Sequence, residues 1–171
     1  LFFGTAPIKP AKDTTLVEID LVKVDVWHYN DDYLQPQQLR NLDRELKRTY
    51  LAVYHTDQQK LVQLADRELP QVLMSDEGNG DQLVGITDMG KRVQAQWEGR
   101  TLKDIYSVSV LDGSRKLVKK GVNGNAQISP KGKYIYWYDE SAKNYFTWAD
   151  GKINNISGKV KVKLYDERFD M

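Results

Sequence analysis

Asn125-Ala-Gln-Ile-Ser-Pro-Lys-Gly-Lys133, followed by Tyr134-Ile-Tyr-Trp-Tyr138, decides the fold. Pro130 fixes its own φ and Gly132 tolerates positive φ, so the pair predicts a tight turn feeding a strand. A polar break over 139–144 leads to Tyr145-Phe-Thr-Trp-Ala149, then Asp150-Gly151, then Lys152-Ile-Asn-Asn-Ile156. The aromatic and β-branched runs are about five residues long and bounded by turn residues, the pattern of short strands. Asp-Gly between two such runs signals a two-residue hairpin. Residues 123–157 therefore predict a small antiparallel meander.

Outward from that stretch, the same unit recurs. Asp104-Ile-Tyr-Ser-Val-Ser-Val-Leu111 reads as a strand, Asp112-Gly113 as a hairpin and Ser114-Arg-Lys-Leu-Val118 as its return. The two Asp-Gly pairs lie about 38 residues apart, Asp112 to Asp150, a spacing within the range of repeat architectures. A weaker copy is Tyr50-Leu-Ala-Val-Tyr-His55, a turn over 56–59, and Lys60-Leu-Val-Gln-Leu64. It stands farther from the second copy, which predicts an insertion between them. Repeated meanders of this length are the mark of β-propeller blades.

The rest of the chain is read around these units. Leu1-Phe-Phe-Gly-Thr-Ala predicts a buried strand that has lost an upstream partner, and 7–15 a polar loop. Val24-Asp-Val-Trp-His-Tyr29 predicts a strand and Asn30-Asp31-Asp32 a turn. Leu39, Leu42, Leu46 and Tyr50 recur at three- and four-residue steps, which predicts a short helix over about 37–47 with Pro36 in its first turn. Leu69 to Met74 and Gln82 to Thr87 predict strands, and Met89 to Lys103 a long polar connection. Val160-Lys-Val-Lys-Leu-Tyr165 alternates as the start of a further strand.

The expected architecture is all-β: an incomplete β-propeller over 1–171, of about three antiparallel blades with one short inserted helix. The blade-like units fall roughly at 1–68, 69–121 and 122–158, with 159–171 starting a following strand. Both ends read as cut, and the chain begins without Met, as a piece excised from a longer protein would. Bare sheet edges in such a piece predict self-association, unless the tail covers them.

Composition narrows the function. A chain of 171 residues predicts one domain with a sizeable core. Lys and Arg number 25 against 24 Asp and Glu, so no global charge attracts nucleic acid or an anionic membrane. Cysteine is absent, which excludes disulfides and thiolate metal sites. No apolar run approaches the roughly 18 residues of a membrane span.

Chemistry-bearing motifs are equally scarce. A Gly-x-Ser-x-Gly elbow, a P-loop, a dinucleotide-binding glycine motif and a His-Glu-x-x-His site are all missing. His28 and His55 each sit within a strand pattern, so local hydrogen bonding is preferred to a base or ligand role. Asn30, Asp31 and Asp32, and Asp76, Glu77 and Asp81, read as turn-forming acids without calcium-loop spacing. Strand alternation puts half of Tyr134, Tyr136, Trp137, Tyr138, Tyr145, Phe146 and Trp148 into the core, against a base- or sugar-stacking platform. Lys119, Lys120, Lys159, Lys161 and Lys163 read as solvated faces. No catalytic, cofactor-binding or metal-ligating residue is assigned, and no cofactor is expected.

Ile128-Ser-Pro-Lys-Gly-Lys-Tyr-Ile-Tyr-Trp-Tyr-Asp139 resembles the blade signature Ser-Pro-Asp-Gly-Lys-Tyr of propellers in bacterial prolyl oligopeptidase-family serine peptidases. Lys131 stands where Asp is usual, and Gly132 keeps the turn. TolB-like propellers share the element. Val24-Asp-Val-Trp-His-Tyr-Asn-Asp-Asp-Tyr-Leu-Gln-Pro-Gln-Gln-Leu39, Lys47-Arg-Thr-Tyr-Leu-Ala-Val-Tyr54, Asp104-Ile-Tyr, Lys116-Leu-Val and Val162-Lys-Leu-Tyr-Asp-Glu167 are similar to one branch of that family.

The resemblance implies a non-catalytic propeller segment that gates peptide access to a separate, C-terminal α/β-hydrolase domain of the same parent chain. His28 to Asp32 would border the chamber. Peptide substrates are then indirect partners, nucleic acid and membrane are not partners, and the compartment implied is the periplasm, with the cytoplasm as the other candidate. The alternative is a TolB-like propeller module that scaffolds protein partners. A carbohydrate-active propeller is the third and weakest reading.

Overall fold

A computed structural model describes residues 1–11, 14, 15, 17, 19 and 24–165. Among them it has three antiparallel sheets and two helices. The first sheet joins β1 (Phe2–Thr5), β2 (Tyr50–His55) and β3 (Lys60–Gln63). The second is a meander of β4 (Gln71–Leu73), β5 (Gln82–Thr87), β6 (Leu102–Ser109) and β7 (Arg115–Asn123). The third repeats that order with β8 (Ala126–Ile128), β9 (Ile135–Asp139), β10 (Asn144–Ala149) and β11 (Lys152–Asn155). Helix α1 (Gln35–Leu46) lies in the connection from β1 to β2, and α2 (Arg92–Glu98) in that from β5 to β6.

Period-two alternation explains how the sheets stack. Successive side chains on a strand leave by opposite faces, so a strand between two layers must be apolar on both. On β5, Leu83 packs with Val53, Val62 and Leu64 of the first sheet and its exit. Its neighbour Val84, with Ile86, packs with Ile128, Ile135 and Trp137 of the third. On β6, Val108 serves the first cluster and Ile105 the second. The strands β5 and β6 of the second sheet are thus covered on both faces, and the sheets follow one another in chain order.

The aromatic runs divide as alternation requires. Trp137, Phe146 and Trp148 belong to the core cluster, with the Trp137 and Phe146 rings stacked at 5.8 Å. Tyr138 and Tyr145, cross-strand partners on β9 and β10, lie on the opposite face with ring centroids 4.9 Å apart.

The turns follow their residues. Asp150 and Gly151 both take positive φ, 49° and 80°, as a type I′ hairpin demands. In the Ser-Pro-Lys-Gly turn, Ser129 Oγ accepts the N–H groups of Lys133 and Tyr134 at 3.1 and 3.0 Å. Gly132 has φ 70°, and a Cβ there would lie 3.0 Å from Gly80 Cα. The turn of the third sheet therefore rests, backbone on backbone, against the loop entering β5.

Polar ties cross between sheets. Arg115 Nη2 donates to Asp66 Oδ2 at 2.9 Å and to Leu64 O at 3.1 Å. Burial opposes the charge on Asp66, but the bonds from Arg115 and the Leu69 N–H outweigh it and lower its pKa.

Several expectations need correction. Val24 to Tyr29 forms no strand: no edge pairs with it, and Val24, Val26 and Trp27 face solvent. β1 is partnered downstream, Phe2 against Val53, and is only half-buried. The inserted helices number two among the described residues. The polar connection over 89–103 contains α2, because Arg-Val-Gln-Ala-Gln-Trp-Glu holds no Gly or Pro and Gly99 caps it at φ 66°. Asp112-Gly113 lies in a five-residue connection, with only Gly113 at positive φ and its N–H on Ser109 O at 2.9 Å. Residues 160–165 carry no strand, since no ladder receives them; 166–171, like part of 16–23, lie outside the described residues.

Candidate functional site

The two helix-bearing connections meet, and a cleft of about 600 Å³ opens between them. One wall is the segment entering α1, with Trp27, Tyr29, Asp31 and Tyr33; the other is α2, with Val93 and Trp97. Pro36 at the start of α1 presets the helical φ and stops the preceding chain from continuing the helix backwards. That leaves Trp27 to Tyr33 as irregular backbone, where large side chains have no sheet face to enter. Trp27, Tyr29 and Trp97 are 68, 88 and 87% exposed.

Arg92 on α2 joins the two walls. Its guanidinium donates to Asp32 Oδ2 at 3.0 Å and to Asp88 Oδ1 at 2.7 Å, and stands 4.5 Å from the Tyr33 ring centroid. Burial opposes its charge, but the bond to Asp88 and the field of the nearby acids more than offset that and raise its pKa. Burial likewise pushes the Tyr33 hydroxyl up, partly countered by Arg92. Lys91 pairs with Asp104 and so anchors the start of α2 to β6.

Asp31 is arranged differently from Asp32. It lines the cleft and accepts a hydrogen bond from the neutral Gln38 Nε2 at 3.1 Å, and no cation among the described residues forms an ion pair with it. Gln38 also donates to Tyr33 O at 2.8 Å, so α1 holds the cleft-lining segment from behind. His28 stacks on Tyr29 at 4.7 Å and its Nδ1 accepts the Asn30 N–H at 3.2 Å.

The other residues singled out in the sequence lie elsewhere. His55 Nε2 meets Val110 O at 2.9 Å and ties the first sheet's hairpin to the loop after β6. Ser75 to Gly78 closes a turn through the Gly78 N–H on Ser75 O at 3.0 Å, which accounts for Asp76 and Glu77 as turn residues. Asp81 gives its backbone carbonyl to the Val110 N–H at 2.9 Å. Lys119, Lys120, Lys159, Lys161 and Lys163 are exposed.

Both histidine rings hydrogen-bond backbone groups. Among the described residues, no three His, Asp or Glu stand together as a metal site. None of their helices is long and apolar enough to cross a membrane. The cleft sets aromatic faces beside one carboxylate, Asp31.

Of the stretch His28 to Asp32, which the resemblance would set at a chamber border, His28, Tyr29 and Asp31 line this cleft; Trp97, 70 residues beyond Trp27, was not singled out in the sequence. The available signal was a tryptophan in a polar stretch outside any alternating strand pattern.

The class these features define is an antiparallel β protein of stacked meanders with a helical, aromatic-lined outgrowth. No protein-family model matches the chain, and no curated protein matches it.

Proposed function

We propose that this chain is a non-catalytic β-propeller segment of a prolyl oligopeptidase-like serine peptidase, a wall that limits peptide access to a separate α/β-hydrolase domain. The observation that carries the reading is the chain-order stacking of three meanders, with β5 and β6 of the second sheet buried on both faces. Propeller blades pack in this way, and full closure needs at least four. The blade-like sequence Ile128 to Asp139 forms the end of β8, the turn and β9, which supports the resemblance on which the family assignment rests. The same resemblance puts the parent in the periplasm.

The test is hydrolysis of short fluorogenic peptides. This chain alone is expected to match buffer, and a parent extending past Met171 to cleave them. Turnover by this chain itself would refute the proposal.

A second reading, a TolB-like module that scaffolds protein partners, is favoured by the exposed tryptophans of the cleft. It requires a parent that continues without a Gly-x-Ser-x-Gly elbow. On either reading, the outer strand β11, exposed along its length, provides an edge for association between copies.

A further inference from the structure

We infer that the cleft between the two helical connections is a binding site for an organic cation, a guanidinium or alkylammonium head on an apolar stem. The inference stands whether or not the parent is a peptidase.

The aromatic walls come first. Trp27, Tyr29 and Trp97 line a single cavity and expose most of their surface. Rings so placed attract cations through the negative potential of their faces, and tryptophan does so most strongly. A purely apolar ligand would also cover them, so the aromatics alone do not choose.

Charge chooses. Asp31 is the cleft-lining carboxylate, and its hydrogen-bond partner Gln38 carries no charge. The nearby cation, Arg92, is already committed to Asp32 and Asp88. Its single positive charge is already shared between those two acids. An arriving cation therefore finds, among π-faces, a carboxylate that no described cation pairs with, whereas an anion meets Asp31 and no Lys or Arg in the described lining.

The cleft also contains an example of the contact. Tyr33, in its lining, holds the Arg92 guanidinium 4.5 Å from its ring centroid. The chain thus uses a ring of this cleft for a cation of its own, while the rings of Trp27 and Trp97 remain open to an external one. A volume of about 600 Å³ is ample for a side-chain-sized ligand.

The experiment is a tryptophan-fluorescence titration of the whole chain, because Trp137 and Trp148 are buried and Trp27 and Trp97 report the cleft. The probes are N-acetyl-arginine amide, choline, and 3,3-dimethylbutan-1-ol as a neutral isostere of choline. At least one cation is expected to saturate with a Kd of about 1–10 mM. The neutral alcohol is expected to bind at least about fivefold more weakly than choline wherever choline binds. A response to the arginine amide assigns a peptide side chain as occupant, and one to choline a free small cation. Asp31→Asn is expected to weaken binding about fivefold with circular dichroism unchanged, and Trp97→Ala to abolish it. The inference is overturned if neither cation gives a saturable signal up to about 50 mM, if the alcohol binds as well as choline, or if Asp31→Asn binds cations undiminished.

Discussion

In the sheet stack, Val84 and Val108 are wholly buried on opposite faces of one meander; in the helical outgrowth, Trp27 and Trp97 stand mostly in water. The leucines of α1 show the same contrast, with Leu39, Leu42 and Leu46 about half exposed. Apolar area removed from water supplies the main drive for folding, so stability belongs to the sheets. The outgrowth is held by a few polar contacts centred on Arg92. A side chain that adds little to stability and exposes a large apolar face is free to serve recognition. Body and outgrowth therefore differ in what they bury, and the proposed recognition role belongs to the second.

Substitutions should separate the two. The largest effect is expected in the core: Trp137→Ala should cost about 3–5 kcal/mol of unfolding free energy, read by urea denaturation. Next is Gly132→Ala, which places a Cβ against Gly80 backbone at a positive φ and should cost about 1–3 kcal/mol. A melting temperature unchanged by this variant would contradict both the positive φ of Gly132 and its contact with Gly80.

Arg92→Gln removes the cation shared by Asp32 and Asp88 and should cost about 1–2 kcal/mol. Its effect should be local. Hydrogen exchange is expected to quicken in 31–46 and 92–98 while β5 and β6 keep their protection. Loss of protection across the sheets would mean that the outgrowth also supports the body.

Acid should act weakly. The folded pKa of Asp66 is lowered by Arg115, and that of Asp112 to about 2 by bonds from Ser109 and Ser114. A lowered folded pKa means that protons bind the unfolded chain more tightly. The stabilisation is then complete above the ordinary carboxylate value near 3.8 and fades as pH falls toward about 2. Both groups are well solvated, so a small decline in melting temperature below about pH 4 is expected. The smallest effect should be Trp97→Ala, within about 0.5 kcal/mol of the unsubstituted chain.

The sequence revealed what local pattern determines. Tyr134 to Ala149 showed its strands because aromatic alternation and turn residues agree, and Asp150-Gly151 showed its hairpin because few other pairs take two positive φ angles. Helix α1 was legible from Pro36 and its leucine spacing. What that helix packs against was not, because periodicity identifies a face and not its neighbour. Val24 to Tyr29 has the composition of a strand, yet strands need an edge to pair with, and that is a property of the whole chain. The cleft was half visible, since Trp27 and Trp97 come from connections whose meeting depends on Arg92 reaching Asp32.

The proposed propeller requires these sheets to be successive layers around one axis. An experimental structure of this chain within the longer protein that the proposal calls for tests this directly. A further four-stranded meander should cover the outer face of the third sheet, over Tyr138 and Tyr145, with strands radiating from a common centre. The first and third sheets closing on each other as a sandwich or barrel, with no layer over those tyrosines, would contradict it.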